Sequence, residues 1–265
     1  MHRARRRFGQ NFLHERATIE RMIAAIGPGQ GEAFVEIGPG RAALTRPLLE
    51  HGAKLTAIEI DRDLAATLRA EAAAQSGQLR VVEADALSVP VEPLIEAAGG
   101  ALRVVGNLPY NCSTPLLFHL TAAPAGIRDL HILLQREVVD RMAAGPGSRT
   151  YGRLSVMLQA RCRIEPLFDV PAAAFVPAPQ VTSRFVRLIP HRERALADVD
   201  DDCLGRVVAR AFAQRRKTLR NALGGLLDAA AIDAAGIDPA SRAEQVDLAG
   251  YSRLARSLRN PPGTD

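Results

Sequence analysis

The chain has 265 residues, of which 47% are hydrophobic and 24% are charged. This length predicts one large domain with a smaller one beside it, and the composition excludes a disordered chain. No apolar run approaches the roughly 20 residues that a membrane-spanning helix needs, so no membrane contact is expected. No apolar segment follows the charged N-terminus, so we expect no secretory signal and a cytoplasmic location.

The cysteines and the charges restrict the class of ligand. Three cysteines lie far apart without a C-x-x-C pair, which fits a reducing compartment and predicts no metal site. The net charge is +5, and a basic surface suits a polyanion because neutralised phosphates release counterions. Arg-rich helix faces are equally typical of plain solvated surface, so charge alone leaves nucleic acid open. The two basic clusters are Arg3, Arg5, Arg6 and Arg7, and Arg215, Arg216, Lys217 and Arg220.

Strand and helix patterns alternate along the first two thirds of the chain. Ala33–Ile37 is the first buried strand candidate, followed by a Gly-Pro-Gly turn and a helix through residues 44–49. A helix is also predicted from residue 61 to about 74. This alternation predicts an α/β fold with a parallel, doubly wound sheet, whose ligands bind beyond the carboxyl ends of the strands. The further strand candidates are 54–60, 79–82, 101–106, 129–134, 154–164 (strand or helix) and 183–189.

The last third of the chain has a different pattern. Three prolines predict an ordered loop over 170–181, and only helical patterns follow Pro190. We therefore predict a domain of residues 1–190 and a helical domain of residues 191–265, with a boundary at 190–198. Four aspartates at this boundary are expected to start a helix, where carboxylates favour the positive end of the dipole. They are Asp198, Asp200, Asp201 and Asp202, and the predicted helices are 204–212, 217–227, one near 230, and 251–258.

A glycine turn follows the first strand candidate, in the sequence F-V-E-I-G-P-G that ends at Gly40. Small residues there let a ligand approach the backbone, and the next helix N-terminus favours a carboxylate. A pyrophosphate-binding G-x-G-x-x-G needs a third glycine where Ala43 stands, and Pro39 lacks an N–H group. The turn thus disfavours a dinucleotide, although by itself it fits a structural role equally well.

Carboxylates end the next two predicted strands. Glu59 can accept hydrogen bonds from both ribose hydroxyls of a nucleoside, and Asp85 can accept one from an adenine amino group. Either residue alone is more typical of an ordinary strand-end cap. Both together, after a glycine turn, predict a nucleoside site.

The sequence Asn107-Leu108-Pro109-Tyr110 follows the fourth predicted strand. It suits methylation of an sp² amine, whose lone pair is delocalised into its ring. The Asn107 side-chain oxygen and the Leu108 carbonyl can each accept one N–H, which favours a pyramidal nitrogen. Pro109 stiffens the turn and Tyr110 can stack on a base withdrawn from its helix. The alternative is a proline turn with a buried tyrosine.

With these segments the chain resembles the bacterial small-subunit (16S) ribosomal RNA adenine N6,N6-dimethyltransferases over nearly its whole length. The resemblance implies a Rossmann-like methyltransferase fold, S-adenosylmethionine as cofactor, ribosomal RNA of the small subunit as partner, and a monomer. It also implies dimethylation at two adjacent adenines near the RNA 3′ end during ribosome biogenesis. The segments that carry it are R-F-G-Q-N-F-L from Arg7, E-I-G-P-G from Glu36, N-L-P-Y-N from Asn107, Y-G-R-L-S from Tyr151 and Q-R-R-K-T from Gln214.

The resemblance assigns roles to particular residues. Phe175, in the proline-rich loop, is implied to form a wall of the target-base pocket with Tyr110, while Asn107, Leu108 and Tyr110 carry the chemistry. Cys112 departs from the family, which commonly has an aliphatic residue there. A cysteine nucleophile would suggest pyrimidine C5 methylation, but we interpret Cys112 as a packing residue. The implied cofactor contacts are Asn11, Leu13, Gly38, Glu59, Asp85 and Asn107.

Other functions remain open on the sequence alone. A large-subunit RNA adenine methyltransferase that confers antibiotic resistance would share the fold and chemistry. A ribosome-assembly factor or transcription factor could have kept the fold without catalysis, and a dehydrogenase is disfavoured by the glycine pattern.

We predict that residues 214–220 begin a helix whose Leu219, Leu223 and Leu226 face the core and whose cations bind RNA phosphates. The alternative is that these cations pair with acidic neighbours.

Overall fold

The computed structural model describes residues 10–71, 77–109, 112–122, 126–191 and 200–259. Residues Tyr110, Asn111, Asp198 and the N-terminal arginines lie outside these ranges. The chain divides into two compact units, one from the N-terminal part through Val139 with Ile164–Pro190, the other Asp140–Arg163 with the chain from His191 onward. The boundary predicted near residue 190 did not anticipate that residues 140–163 pack with the C-terminal helices.

The first unit is built on a seven-stranded sheet in the order β4-β3-β2-β5-β6-β9-β7. Strands β2 to β6 are paired in parallel, which confirms the predicted α/β fold. Strand β9 runs antiparallel to β6, a common addition to a parallel sheet that the sequence did not predict. The strands are β1 Phe12–Leu13, β2 Ala33–Ile37, β3 Lys54–Glu59, β4 Leu79–Glu83, β5 Leu102–Asn107, β6 Ile127–Gln135, β7 Cys162–Val170, β8 Phe175–Val176 and β9 Ser183–Pro190.

The helices include most of those predicted. The ambiguous segment 154–164 holds both structures, since a helix ends at Gln159 and β7 begins at Cys162. None of the helices in the described ranges is long and apolar enough to cross a membrane. The helices are α1 Arg16–Ile26, α2 Thr45–Glu50, α3 Arg62–Arg69, α4 Glu92–Ala97, α5 Ser113–Leu120, α6 Arg136–Ala143, α7 Arg153–Gln159, α8 Asp201–Ala213, α9 Leu219–Ala222, α10 Ala229–Ala234 and α11 Leu248–Arg259.

Strand β5 lies between β2 and β6 at the centre of the sheet. Its residues are buried up to Gly106, and Asn107 at its carboxyl end is half-buried. A Cβ atom on Gly106 would lie 2.8 Å from the carbonyl oxygen of Ile37 in β2. Only glycine therefore allows β5 to approach β2 this closely, and that approach sets Asn107 beside the glycine turn that follows β2.

A buried ion pair attaches helix α1 to the sheet. The Arg103 side chain donates from Nε to Asp129 Oδ1 at 2.8 Å and from Nη2 to the carbonyl oxygen of Ile26 at 2.7 Å. Ile26 ends α1, so Arg103 satisfies a terminal carbonyl of that helix while its charge is neutralised. Helix α1 begins shortly after residues 10–13, which line the cavity described below.

The second unit packs around three aromatic rings. Phe212 of α8 contacts Tyr251 of α11 in a stacked arrangement and Tyr151 edge-on. Both tyrosines are buried, and each hydroxyl donates to a backbone carbonyl, Tyr151 to Val246 and Tyr251 to Ala243. Tyr151 therefore has a structural role in the Y-G-R-L-S segment. At the start of α8, Asp200 is the N-cap and accepts from the N–H groups of Asp202 and Cys203, as its position in the sequence predicted.

Gly106→Ala should destabilise the first unit. The added methyl group meets backbone rather than a movable side chain, and such overpacking costs about 1–3 kcal/mol. Gly205→Ala in α8 is the matched control, because its Cβ would have 3.9 Å to its nearest neighbour and alanine favours a helix. Urea denaturation should show a loss of unfolding free energy for the first variant only. Equal stability of the two variants would contradict the close approach of β5 and β2.

Candidate active site

A cavity of about 290 Å³ opens in the first unit at the carboxyl ends of β2, β3, β4 and β5. This volume is close to the lower end of the usual range for small-molecule sites. Its position is the one predicted for a doubly wound sheet. All of the cofactor contacts implied by the resemblance line this cavity, together with Leu108: they are Asn11, Leu13, Gly38, Glu59, Asp85 and Asn107.

The glycine turn shapes one wall of this cavity. Gly38 and Gly40 have φ values of 64° and 57°, in the left-handed region that favours glycine. The Gly38 N–H donates to the Ile58 carbonyl of β3 at 2.9 Å, which fixes the turn on the neighbouring strand. A Cβ on Gly40 would lie 3.1 Å from the ring of Phe12, so the N-terminal segment packs directly on the turn.

Glu59 ends β3 with only 4% of its surface exposed, yet it lines the cavity. Its two carboxylate oxygens accept from the backbone N–H groups of Gly40, at 3.1 Å, and Asp61, at 2.9 Å. Burial raises the pKa of Glu59, and the charge of Asp61 adds to this effect. A carboxylate has about four acceptor positions, so Glu59 can still accept from a ligand diol.

Glu36 is a cavity residue that the sequence interpretation missed. It is buried in β2 and accepts a hydrogen bond of 2.7 Å from the Thr45 hydroxyl at the start of α2. Burial raises the pKa of Glu36 to about 7, and the negative charge of Glu59 contributes to this shift. The sequence did contain a signal, because Glu36 is the one charged residue in an otherwise apolar strand.

Asp85 lies on the exposed side of the cavity. One of its oxygens accepts from the Leu87 N–H at 3.0 Å and so caps a short 3-10 turn. Ile60 and Leu87 line the same cavity and are 45% and 38% exposed, respectively. Apolar side chains beside carboxylates suit a nucleoside, whose ring is flat and apolar on its faces while its edges and ribose are polar.

The charges of the cavity favour a cationic nucleoside. Glu36, Glu59 and Asp85 all line it, with Arg41 as a cation. Glu36, whose pKa is about 7, is only partly ionised near neutral pH. The ionised carboxylates would repel the pyrophosphate of a dinucleotide, whereas they attract the sulfonium and ammonium groups of S-adenosylmethionine. The residues present therefore fit this cofactor, which carries a methyl group on a positively charged sulfur and can give it up to a nucleophile.

Asn107 lies where β5 reaches this cavity. Its side-chain nitrogen donates to the backbone carbonyl of Asn11 at 2.9 Å, and its side-chain oxygen has no hydrogen-bond partner among the described residues. The Leu108 N–H donates to the Leu133 carbonyl at 3.3 Å, and the Leu108 side chain is buried. These contacts hold the Asn-Leu-Pro turn against β6. Tyr110, the next predicted site residue, lies outside the described residues.

Phe175 lies in the core of the first unit. It is 2% exposed, its backbone pairs with Leu13 in the two-stranded sheet of β1 and β8, and its side chain belongs to the hydrophobic core. Phe175 does not line the cavity described here. It supports the cavity through Leu13, and its predicted contact with a target base stays a prediction.

Cys112 lines the cavity, but its environment does not activate it. Burial raises the pKa of the Cys112 thiol, and the charge of Asp85 adds to the shift. A thiol with a raised pKa is a poor nucleophile. This supports the interpretation of Cys112 as a packing residue. No cluster of three potential metal ligands occurs within the residues that the structure describes.

The Rossmann-like sheet and its acid-lined cavity beside the Asn-Leu-Pro turn define a methyltransferase. A family model described as ribosomal RNA adenine dimethylase matches residues 1–260. The chain therefore belongs to the ribosomal RNA adenine dimethylase family.

Individual relatives agree with this assignment. The chain is 54% identical over 255 residues to the ribosomal RNA small subunit methyltransferase A of Nitrosococcus oceani, covering 96% of each chain. It is 52% identical to that of Pseudomonas putida, covering 97% of this chain and 96% of the relative.

Two solved structures share the fold. The 23S rRNA methyltransferase ErmE superposes with a TM-score of 0.71 at 25% identity, covering 94% of this chain and all of ErmE. A dimethyladenosine transferase from Plasmodium falciparum superposes with a TM-score of 0.75 at 22% identity, covering 92% and 95% of the two chains.

Glu59→Ala and Asp85→Ala should each weaken the binding of S-adenosylmethionine by roughly tenfold or more, because hydrogen bonds to a charged group contribute about 1.5–3 kcal/mol. Both variants should remain folded. Glu59→Ala should lower the unfolding temperature more than Asp85→Ala, since it removes a buried acceptor for two backbone N–H groups whereas Asp85 is exposed and accepts from one. Calorimetric titration and thermal denaturation measure the two effects. Unchanged affinity in both folded variants would show that these carboxylates do not contact the cofactor.

Proposed function

We propose that this chain transfers methyl groups from S-adenosylmethionine to the N6 amine of adenines in small-subunit ribosomal RNA, giving N6,N6-dimethyladenosine. The observation that carries the proposal is the Asn107 amide, held at the edge of an acid-lined nucleoside cavity with its oxygen available to an amine. The small-subunit target follows the relatives that are 49–54% identical to the chain. Two adjacent adenines near the RNA 3′ end are the proposed positions.

In this proposal the chain's own residues prepare the amine for attack. Asn107 Oδ1 accepts one N–H of the adenine amine and the Leu108 carbonyl accepts the other. Both bonds favour a pyramidal nitrogen whose lone pair is no longer shared with the ring. Such bonds lower the barrier only as far as they strengthen toward the transition state. No strong base is needed, since a proton leaves the nitrogen for solvent after the new N–C bond forms. Tyr110 is proposed to stack on the base.

The cofactor is proposed to be held by the residues that line the cavity. Glu59 would accept from the ribose hydroxyls and Asp85 from the adenine amino group. The backbone of Gly38, with Asn11 and Leu13 from the N-terminal segment, would complete the contacts. With these residues arranged in one copy of the chain, we propose that it acts as a monomer, in the cytoplasm where ribosomes assemble.

Two alternatives have different products. A large-subunit adenine methyltransferase would share the Asn107 chemistry, and a ribosome-assembly factor with this fold would bind RNA without methylating it. The Asn-Leu-Pro turn and the cavity carboxylates favour catalysis over the second alternative. An assembly role can coexist with methylation.

Nucleoside mass spectrometry of RNA incubated with the chain and S-adenosylmethionine tests the proposal. We expect N6,N6-dimethyladenosine in small-subunit RNA, formed by two successive transfers, with N6-methyladenosine as the intermediate. Sequencing the modified RNA then locates the adenines. A monomethyl product that persists at long times, or modification of large-subunit RNA only, would favour the resistance-type enzyme. No methylation at all would favour the assembly factor.

The distribution of charge supports RNA binding by the second unit. The sequence of this unit contains 17 Lys or Arg against 12 Asp or Glu, whereas that of the first unit contains 17 of each. A net positive surface attracts phosphates, while the first unit carries the carboxylates of the cofactor cavity. The proposed RNA affinity therefore resides mainly outside the unit that holds this cavity.

The Gln214–Thr218 segment differs from the helix predicted there. Arg215, Arg216 and Lys217 lie in an exposed turn between α8 and α9, which spans only Leu219–Ala222. The Arg215 guanidinium donates to the carbonyls of Arg149 at 2.7 Å and Tyr151 at 3.2 Å, and lies 3.9 Å from Glu244. Arg215 thus fits the alternative structural role, because its side chain joins this turn to the Y-G-R-L-S segment.

Arg216 and Lys217 are exposed and have no ion-pair partner among the described residues, so they fit phosphate contacts. Arg149 and Arg153 are exposed in the segment that Arg215 joins to this turn. Leu219 and Leu223 are buried as predicted, whereas Leu226 is half-buried and its neighbour Leu227 is buried instead. We propose that RNA phosphates bind at the exposed arginines and the lysine of these two segments.

Removal of the charges at Arg216 and Lys217 should weaken RNA binding and reduce its salt dependence, by a slope of about 0.9 for each lost duplex-phosphate contact. Cofactor affinity and thermal stability should stay as in the unsubstituted chain. Arg215→Ala is the comparison, and should lower the unfolding temperature because it leaves two carbonyls without their donor. Salt titrations of RNA binding measure the slope. A double variant with an unchanged slope would exclude these two cations from the RNA interface.

A further inference from the structure

The orientation of the Asn107 side chain is fixed by one contact. A backbone carbonyl can only accept a hydrogen bond, so the Asn107 atom 2.9 Å from the Asn11 carbonyl oxygen is the amide nitrogen. The side-chain oxygen is therefore turned away from Asn11. Rotation of the amide by half a turn would bring two oxygens together at this distance and would lose the hydrogen bond, so the observed orientation is the favoured one.

The carbonyl that fixes this orientation belongs to a segment with three further attachments. Gln10 donates from its side chain to Asp61 at 3.2 Å, at the start of α3. Phe12 packs on Gly40, and the Arg41 guanidinium lies over the Phe12 ring, with its Cζ atom 4.5 Å from the ring centroid.

The third attachment joins the segment to the proline-rich loop. Leu13 pairs with Phe175 in β8, and the next N–H, that of His14, donates to the Ala174 carbonyl at 3.0 Å. Residues 10–13 thus connect the glycine turn, the proline-rich loop and Asn107, and all four line the cofactor cavity.

We infer that the Asn11 carbonyl is a positioning group, which holds the Asn107 amide with its oxygen available for the reacting amine. The inference rests on the proposed function and adds that Asn107 acts as a donor to the N-terminal segment and as an acceptor to the substrate. Because residues 10–13 also line the cavity, the acceptor is oriented only when this segment is seated over the cofactor. An acceptor oxygen at position 107 is therefore insufficient for methyl transfer unless the neighbouring amide nitrogen of the same side chain can donate to Asn11.

Asn107→Asp separates the two roles. The introduced carboxylate keeps an acceptor but cannot donate to Asn11 when it is ionised, and the two oxygens then repel each other. Once protonated, its O–H can donate to Asn11 and restore the contact. Glu36, Glu59 and Asp85 line the same cavity and raise the pKa of an introduced carboxyl, while Arg41 lowers it.

The test compares single-turnover rates of Asn107→Asp and the unsubstituted chain at saturating S-adenosylmethionine between pH 6 and pH 9. Their ratio should be roughly tenfold to a hundredfold below one at pH 9, as expected when one buried hydrogen bond becomes a repulsion. As the pH is lowered toward 6, this rate ratio should rise about tenfold for each pH unit, over the range in which the pH is still above the pKa of the introduced carboxyl. Asn107→Ala, which lacks donor and acceptor, gives the floor. Calorimetric cofactor titration and thermal denaturation identify any variant that is misfolded.

A second measurement needs no activity. In the cofactor-free chain, hydrogen exchange of the His14 amide, which donates to the Ala174 carbonyl, should be faster in Asn107→Ala than in the unsubstituted chain, since the segment loses one attachment. Unchanged exchange would overturn the inference, as would an Asn107→Asp rate equal to the unsubstituted rate at pH 9. If the unsubstituted chain does not methylate adenine, the proposed function fails, and the exchange measurement still decides whether Asn107 holds the segment.

Discussion

The buried carboxylate of Glu59 joins three parts of the first unit. Its oxygens accept from Gly40, in the turn after β2, and from Asp61, at the start of α3, while its backbone ends β3. The turn can make this contact because Gly38 and Gly40 adopt left-handed conformations. Phe12 then packs on Gly40, which brings the N-terminal segment to the cavity. The position of the Asn11 carbonyl beside Asn107 follows from this arrangement.

The central strands β2, β5 and β6 could be predicted closely because they are largely buried and appear as apolar runs beside glycine or polar residues. Strand β2 has the predicted bounds, and the other parallel strands differ by one or two residues. The cavity residues Gly38, Glu59, Asp85 and Asn107 could also be placed at one edge of the sheet, since the carboxyl ends of parallel strands share that edge. Asn11 and Leu13 became candidates through family resemblance alone, because a two-residue strand has no periodicity that a pattern can reveal.

Other features depend on contacts between distant segments, which no local pattern contains. The basic segment near residue 215 has the sequence pattern of the beginning of a helix. In the structure the Arg215 side chain binds two carbonyls more than sixty residues away along the chain, and the backbone forms a turn instead. Phe175 is buried in the hydrophobic core that it shares with Leu13 and with residues far along the chain. Glu36 did stand out as the one charged residue of an apolar strand, but its raised pKa depends on burial and on the nearby charge of Glu59, which are properties of the folded sheet.

The division of charge between the two units has an evolutionary consequence. The cofactor carboxylates lie in the first unit, and the exposed cations of segments 149–153 and 216–217 lie in the second. Substitutions at distant sites without shared partners have nearly additive effects on free energy. On the proposed function, selection can therefore change how strongly a descendant binds RNA, or which RNA surface it prefers, without altering methyl transfer. Gene duplication followed by drift in the second unit offers a short route from one RNA target to another.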